Sequence, residues 1–290
     1  MLNTNKMSPE QMAYEIPEIW ENDWFGPADE TRVREFCKRI PDDVRSILDA
    51  GCGNGLFLHY ISKSNSKKYG RICGVDRSQI ALSHVETEKY LSCVDALPFR
   101  DCEFDIVTSL EVIEHLPVGI YENTLKELSR VARRYILIGV PFNQDIRNSL
   151  IECPICACRF NADYHLRSFS EAAIKSLFSD KDFECKEIFY INSIKIMRPW
   201  IFKIYLFIPA MRRIYSNPDR QLFPGYAVCP ACGYNDTTSL KNTLTLFKQT
   251  KAKNCDKYNN KTKKHLNDFV NALFFQNSHQ WIGAIYERIG

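Results

Sequence analysis

The chain has 290 residues, 45% of them hydrophobic, which is enough for one large globular domain with a sizeable buried core. Its 38 basic and 35 acidic residues leave a net charge of +3, too near balance to mark a nucleic-acid partner. The first twenty residues lack the basic start and apolar run of an export signal, so a cytosolic location is expected; thiols stay reduced there, and the twelve cysteines are then not expected to form a disulfide framework.

Residues 1–43 read as an N-terminal helical cap, with a helix over 29–40 started by Asp29 and closed by Pro41 and Asp42. From 44 onward short apolar runs alternate with longer helix-compatible stretches, the rhythm of repeated βαβ units on a parallel sheet. Strands are expected over 46–50, 71–76, 91–94, 104–110 and 135–140, with helices between them. A cysteine-bearing loop inserted over 143–167 breaks this rhythm. A helix opening at Ser170 follows, its apolar face made by Ala173, Ile174, Leu177 and Phe178. A strand over 183–191 precedes a second insertion, 192–275, which holds an apolar and basic stretch over 197–215 and a Lys/Asn-rich stretch over 248–264. Residues 280–286 alternate as a closing strand.

The segment Asp49-Ala50-Gly51-Cys52-Gly53-Asn54-Gly55 places three glycines at alternate positions between an apolar strand and a helix. Glycines there allow a tight turn and let a ligand reach the backbone. Two acids follow at expected strand ends: Asp76, before Arg77, 25 positions after Gly51, and Asp95, before Ala96 and Leu97. A carboxylate at the first place can accept both hydroxyls of a ribose, and one at the second can take the exocyclic amine of an adenine. Taken singly, the glycines fit a plain turn and the acids fit helix caps; in this order they describe an adenosine site. The turn lacks the Gly-x-Gly-x-x-Gly spacing of dinucleotide folds.

With these segments (LDAGCGNG, GVDRS, CVDALPF and FDIVTSLEVIEHL) the chain resembles the class I S-adenosylmethionine-dependent methyltransferases over roughly 29–142. The resemblance implies a Rossmann-like, mostly parallel seven-stranded α/β sheet with helices on both faces, built from 44–290. It also places Asp49, Gly51, Cys52, Gly53, Asn54 and Gly55 at the methionine end of the cofactor. Asp76 and Arg77 fall at the ribose, Asp95, Ala96 and Leu97 at the adenine, and Leu110 and Glu111 beside the sulfonium. The strand order beyond the first five rests on this likeness alone.

Methyl transfer from a sulfonium is an in-line displacement, so alignment and desolvation matter more than a dedicated base. If the acceptor is a hydroxyl, a nearby histidine or carboxylate can take its proton. His115 is the first candidate, with Glu111 and Glu114 beside it and His165 a second histidine; a purely structural role for His115 competes. One expectation is transfer to a hydroxyl or amine of a sugar, a lipid-linked glycan or a small metabolite. The alternative is a non-catalytic scaffold that binds a partner on the same fold.

Cys153-Pro-Ile-Cys156 and Cys229-Pro-Ala-Cys232 are matching turns 72 residues apart, a spacing that directs four thiolates at one structural zinc and staples the insertion to the domain. Cys158 and His165 are substitute ligands; a redox pair or two unrelated loop pairs are the other accounts. The 197–215 stretch is too short to span a bilayer. It suits a core helix, a lid over the acceptor, or a peripheral contact that would make the cytosolic protein membrane-associated.

Overall fold

The computed structural model describes residues 9–20, 27–64, 68–179, 182–197, 227–236 and 275–290. The readings of the 197–215 stretch, beyond Met197, and of 248–264 lie outside these residues. In chain order come α1 (Pro9–Tyr14), a 3-10 turn (Pro17–Trp20), α2 (Pro27–Cys37), β1 (Ser46–Ala50), α3 (Leu56–Ser64), β2 (Arg71–Asp76) and α4 (Gln79–Ser83). Then follow β3 (Glu88–Leu91), β4 (Phe104–Leu110), α5 (Ile120–Val131), β5 (Ala132–Pro141), a 3-10 turn (Ile146–Ser149), β6 (Leu150–Glu152) and β7 (Arg159–Asn161). The described chain closes with α6 (Glu171–Lys175), β8 (Phe183–Met197) and β9 (Phe275–Arg288).

Seven strands form one sheet in the order β3-β2-β1-β4-β5-β9-β8; β9 runs antiparallel to both β5 and β8, and the first five strands are parallel. The Rossmann-like, mostly parallel seven-stranded sheet expected from the sequence is therefore present. The order reverses between β1 and β4, and such a reversal opens a crevice at the carboxyl ends of the strands. Alternate residues of each central strand feed two cores. Leu48, Val107, Ile136 and Ile138 pack with Leu125, Leu128 and Val131 of α5 and Ile174 of α6. Ile47, Ile106 and Leu137 pack on the other face with Val33 and Phe36 of α2 and with Phe57, Leu58 and Ile61 of α3. Burial on both faces explains why β1, β2 and β4 read as apolar runs.

Glycines at facing positions open a slot for α2. Gly139 of β5 pairs with Gly283 of β9, and the Phe36 ring lies over both, edge-to-face with Phe189 at 5.5 Å between centroids. A Cβ on Gly139 would stand 2.1 Å from Phe36 Cζ, and Phe36 is only 1% exposed. Gly139→Ala is thus expected to cost about 3 kcal/mol by overpacking. Urea denaturation should show a lower midpoint at unchanged slope; an unchanged midpoint would show that the ring can move aside.

Five of the elements that differ from the sequence expectations do so for a physical reason. The third strand is Glu88–Leu91 instead of 91–94, because β3 is an edge strand with every residue exposed and so carries no apolar run. The apolar Cys93 and Val94 belong to the loop beyond it. Helix α2 begins at Pro27, whose fixed φ suits a first helical position, so Asp29 lies inside the first turn rather than at the cap. It ends at Cys37 rather than residue 40. Helix α6 starts as expected, with Ser170 Oγ accepting from the Ala173 amide at 3.3 Å, but stops at Lys175. Leu177 and Phe178 are buried from the turn that follows. Strands β8 and β9 overrun their expected bounds because they pair with each other from Phe183↔Arg288 out to Met197↔Phe275.

Candidate functional site

The loops at the carboxyl ends of β1, β2, β3 and β4 enclose a cavity of about 340 Å³. Its floor is the Gly-rich turn. Both the Gly51 and Cys52 amides donate to the Val75 carbonyl of β2, at 2.8 and 2.9 Å, which bends the chain back across the sheet edge. Gly51 and Gly53 have φ of +85° and +53°, a region that penalises L side chains. A Cβ on Gly51 would also lie 2.4 Å from Val112 Cγ2.

The acids around this turn are held in different ways. Asp76 ends β2 with both oxygens engaged: Oδ2 accepts from the Gly53 amide and Oδ1 from the Ser78 amide, each at 2.8 Å. Burial raises its pKa against those two amides. Asp49 is buried, its Oδ1 accepting from Thr108 Oγ1 at 2.6 Å. Burial lifts its pKa to about 7, the Thr108 hydroxyl opposing and the nearby Asp76 adding. Asp95 lines the cavity from the loop after β3.

Among the residues expected to touch a cofactor, Asp49, Gly51, Cys52, Gly53, Asn54, Asp76, Arg77, Asp95, Leu110 and Glu111 all line this cavity. Gly55, Ala96 and Leu97 do not line it. Gly55 is buried behind the turn against Val85, and Ala96 is exposed. Leu97 is in the core, with its amide given to Glu127 Oε2 at 2.8 Å.

The sequence reading missed the N-terminal wall. Glu10, Tyr14 and Trp20 line the cavity, as do Arg32, Val33 and Phe36 of α2. Ser78 Oγ donates to the Tyr14 carbonyl at 3.1 Å, Arg77 Nη2 pairs with Glu10 Oε2 at 3.1 Å, and Asn54 Nδ2 donates to the Trp20 carbonyl at 3.3 Å. Their only sequence signal is a pair of large aromatics in a short helical stretch remote from every glycine motif.

At the far end of β4, Glu111 sits at a φ of +58° with its amide donating to the Gly139 carbonyl at 2.8 Å. Its Oε2 receives Arg32 Nη1 and Trp281 Nε1, both at 3.0 Å, while its buried Oε1 has no hydrogen bond among the described residues. Burial first, partly offset by Arg32, raises its pKa. Glu114 is fully buried with neither carboxylate oxygen hydrogen-bonded among the described residues, and burial followed by repulsion from Glu111 pushes its pKa well up. His115 lines the cavity with Nδ1 3.4 Å from the Tyr14 hydroxyl. Burial, then His165 and Arg77, hold its pKa well below the usual histidine range, so the ring is neutral at pH 7. The His165 ring meets it edge-on at 4.6 Å between centroids.

Away from the cavity, the two cysteine turns converge. Cys153 Sγ lies 3.6 Å from Cys232 Sγ, and Cys156 Sγ lies 3.6 Å from Cys229 Sγ. All four sulfurs fall within 4.8 Å of one another; Cys158 and His165 are outside the group. The turns share one geometry: Ala157 N donates to the Cys153 carbonyl and Gly233 N to the Cys229 carbonyl, both at 2.9 Å, with Ala157 and Gly233 at φ of +57° and +73°. Burial opposes ionisation of Cys229, but the Cys232 and Ala231 amides and the neighbouring thiols outweigh it and bring its pKa to about 6.

A family model described as a methyltransferase domain matches residues 27–188. The chain is 34% identical over 94 residues to the ubiquinone biosynthesis O-methyltransferase of Hydrogenovibrio crunogenus, covering 29% of this chain and 37% of that protein. It is 25% identical over 167 residues to the protein of the same name from Glaesserella parasuis, covering 50% of this chain and 67% of that one. Among solved structures, an S-adenosylmethionine-dependent methyltransferase from Archaeoglobus fulgidus superposes with a TM-score of 0.49 at 16% identity, covering 89% of this chain and 91% of that chain. Since the matching family model spans α2, the Gly-rich turn, Asp76, Asp95 and the sheet as far as β8, the chain belongs to the methyltransferase-domain family.

Proposed function

We propose that the chain transfers a methyl group from S-adenosylmethionine to a hydroxyl or amine of a sugar, a lipid-linked glycan or a small metabolite. The observation that carries the reading is Asp76: a half-buried carboxylate on the cavity wall, aimed by two backbone amides beside the glycine turn, with lone pairs left for a vicinal diol. Asp95, on the next loop, suits an exocyclic amine. Asp49 suits the ammonium of an amino acid end. The O-methyltransferase names of two relatives favour an oxygen acceptor.

S-adenosylmethionine, when bound, supplies a methyl group activated on a sulfonium. The residues of this chain then orient and desolvate. Leu110, Val112 and Leu116 make an apolar wall. Glu111 Oε1, without a hydrogen bond among the described residues, and the neutral His115 suit a hydrogen bond from an acceptor hydroxyl, and His115 would take its proton. His115→Gln is expected to keep cofactor binding and slow transfer to a hydroxyl; unchanged transfer would remove His115 from the reaction.

The four cysteines fit a structural zinc. A tetrahedral site with Zn–S bonds of about 2.3 Å separates its sulfurs by about 3.8 Å, close to the two 3.6 Å separations seen here. Cys153, Cys156, Cys229 and Cys232 would hold the ion, which would clamp the 150–161 hairpin to the 227–235 segment.

Calorimetry tests the cofactor. One S-adenosylmethionine per chain is expected, bound more tightly at about pH 7.5 than at about pH 5.5. The sign follows from Asp49: with a pKa of about 7 in the free protein it must lose a proton to pair with an ammonium, so affinity falls as pH drops below that value. Asp49→Asn should flatten the profile. No heat at either pH would sink the reading.

A further inference from the structure

One side chain joins the cysteine cluster to the cavity. The Tyr164 hydroxyl accepts from the Val228 amide at 2.6 Å and donates to the Val228 carbonyl at 3.1 Å, engaging both main-chain groups of the residue before Cys229. Its ring stacks on Phe160 at 5.9 Å between centroids and packs against the small core formed by Cys153, Phe160, Ala227 and Cys229. The next residue reaches His115: the His165 ring meets the His115 ring edge-on at 4.6 Å between centroids.

The segment around Tyr164 is a strut. Asn161 Oδ1 accepts from the Asp163 amide at 2.9 Å and the His165 amide at 3.3 Å, and the Asn161 carbonyl accepts from the Tyr164 amide at 3.0 Å. Tyr164 is thereby held at a φ of +56°, a conformation that costs an L residue about 1–2 kcal/mol and persists only where surrounding contacts impose it. Beyond it, the Leu166 amide donates to the Glu114 carbonyl at 2.9 Å and Arg167 Nη1 to the Ile113 carbonyl at 2.7 Å. One end of the strut therefore grips the Cys229 turn and the other the 113–115 turn.

We propose that Tyr164 is a positioning residue through which metal loading of the four cysteines sets the orientation of His115. This rests on reading those cysteines as zinc ligands. Without an ion, the two turns are left with their 3.6 Å S···S contacts, far weaker than four metal–sulfur bonds. The 227–229 segment is then freed from Cys153 and Cys156, and the two hydrogen bonds to Tyr164 lose their fixed partner. The His165 ring against His115 and the Leu166 amide on the Glu114 carbonyl shift with Tyr164. The ion touches neither cofactor nor acceptor, yet the geometry at the cavity depends on it.

The test compares zinc-loaded wild type, wild type stripped with a chelator, and Tyr164→Phe, reading zinc content, S-adenosylmethionine affinity and the histidine imidazole signals in proton–nitrogen NMR. His115→Gln assigns the His115 signal, and the exposed His59 and His84 report any general unfolding. Stripping zinc is expected to move the His115 signal and leave those of His59 and His84 in place, and titrating zinc back to restore it at one ion per chain. Tyr164→Phe should keep its zinc and bind S-adenosylmethionine within about twofold of wild type, while its His115 signal moves toward the stripped position whether or not zinc is present. A His115 signal indifferent to zinc overturns the proposal, as does one that still follows zinc in Tyr164→Phe. Wild type grown with zinc but purified without it would instead remove the zinc reading on which the proposal rests. The titration of stripped wild type needs no substitution, so a Tyr164→Phe chain that fails to fold leaves that arm decisive.

Discussion

Asp76→Ala is expected to weaken S-adenosylmethionine binding by at least about 100-fold in calorimetry. Two hydrogen bonds from a ribose to a charged acceptor contribute about 1.5–3 kcal/mol each, and about 2.7 kcal/mol already corresponds to 100-fold. The substitution also releases the Gly53 and Ser78 amides, which the carboxylate ties to the end of β2. Asp76→Asn should fare little better. Both carboxylate oxygens face backbone N–H groups, so an amide side chain must set its own NH2 against one of them, donor to donor. Asp95→Ala, which removes a partly exposed group with no such anchoring role, should lose only about tenfold, the range of a single hydrogen bond. Asp76→Ala binding within threefold of wild type would mean that the ligand does not lie against β2.

The fold was legible wherever a strand is buried on both sides. β1, β2 and β4 fall at the positions their apolar runs indicate, since a central parallel strand has no polar face. β3 was misplaced for the converse reason: at the sheet edge its Glu88, Lys89, Tyr90 and Leu91 are exposed, and the apolar residues that follow line the cavity loop. The length of β8 and β9 could not be read from either strand alone, because their outer halves are held by each other rather than by an apolar face. In the cavity, glycines and acids announce themselves by position after a strand. Tyr14, Trp20 and Arg32 do not, because they reach the cavity from elements outside the βαβ rhythm, and only tertiary packing brings them there. The convergence of the cysteine turns was legible in their repeated spacing; the hydrogen bonds that tie Tyr164 to the Cys229 turn were not.

Cys232→Ser should lose zinc and melt one part of the molecule while sparing the other. The cysteine cluster has its own small core of Cys153, Phe160, Ala227 and Cys229, separate from the two that pack against the sheet. Without an ion that core buries too little apolar surface to stand alone, and zinc binding to cysteine sites of this kind supplies about 10–16 kcal/mol. Hydrogen exchange at residues 151–161 and 227–235 is therefore expected to speed up by several orders of magnitude, while protection at Ser46–Ala50 and Phe104–Leu110 stays near wild type. Cys158→Ser is the control, since that thiol lies beside the cluster but outside the four sulfurs and should leave the ion in place. If Cys232→Ser keeps both its zinc and its protection at 227–235, the four cysteines are not a metal clamp. If protection is lost across the whole sheet as well, the clamp is part of the main core, and the two regions unfold as one.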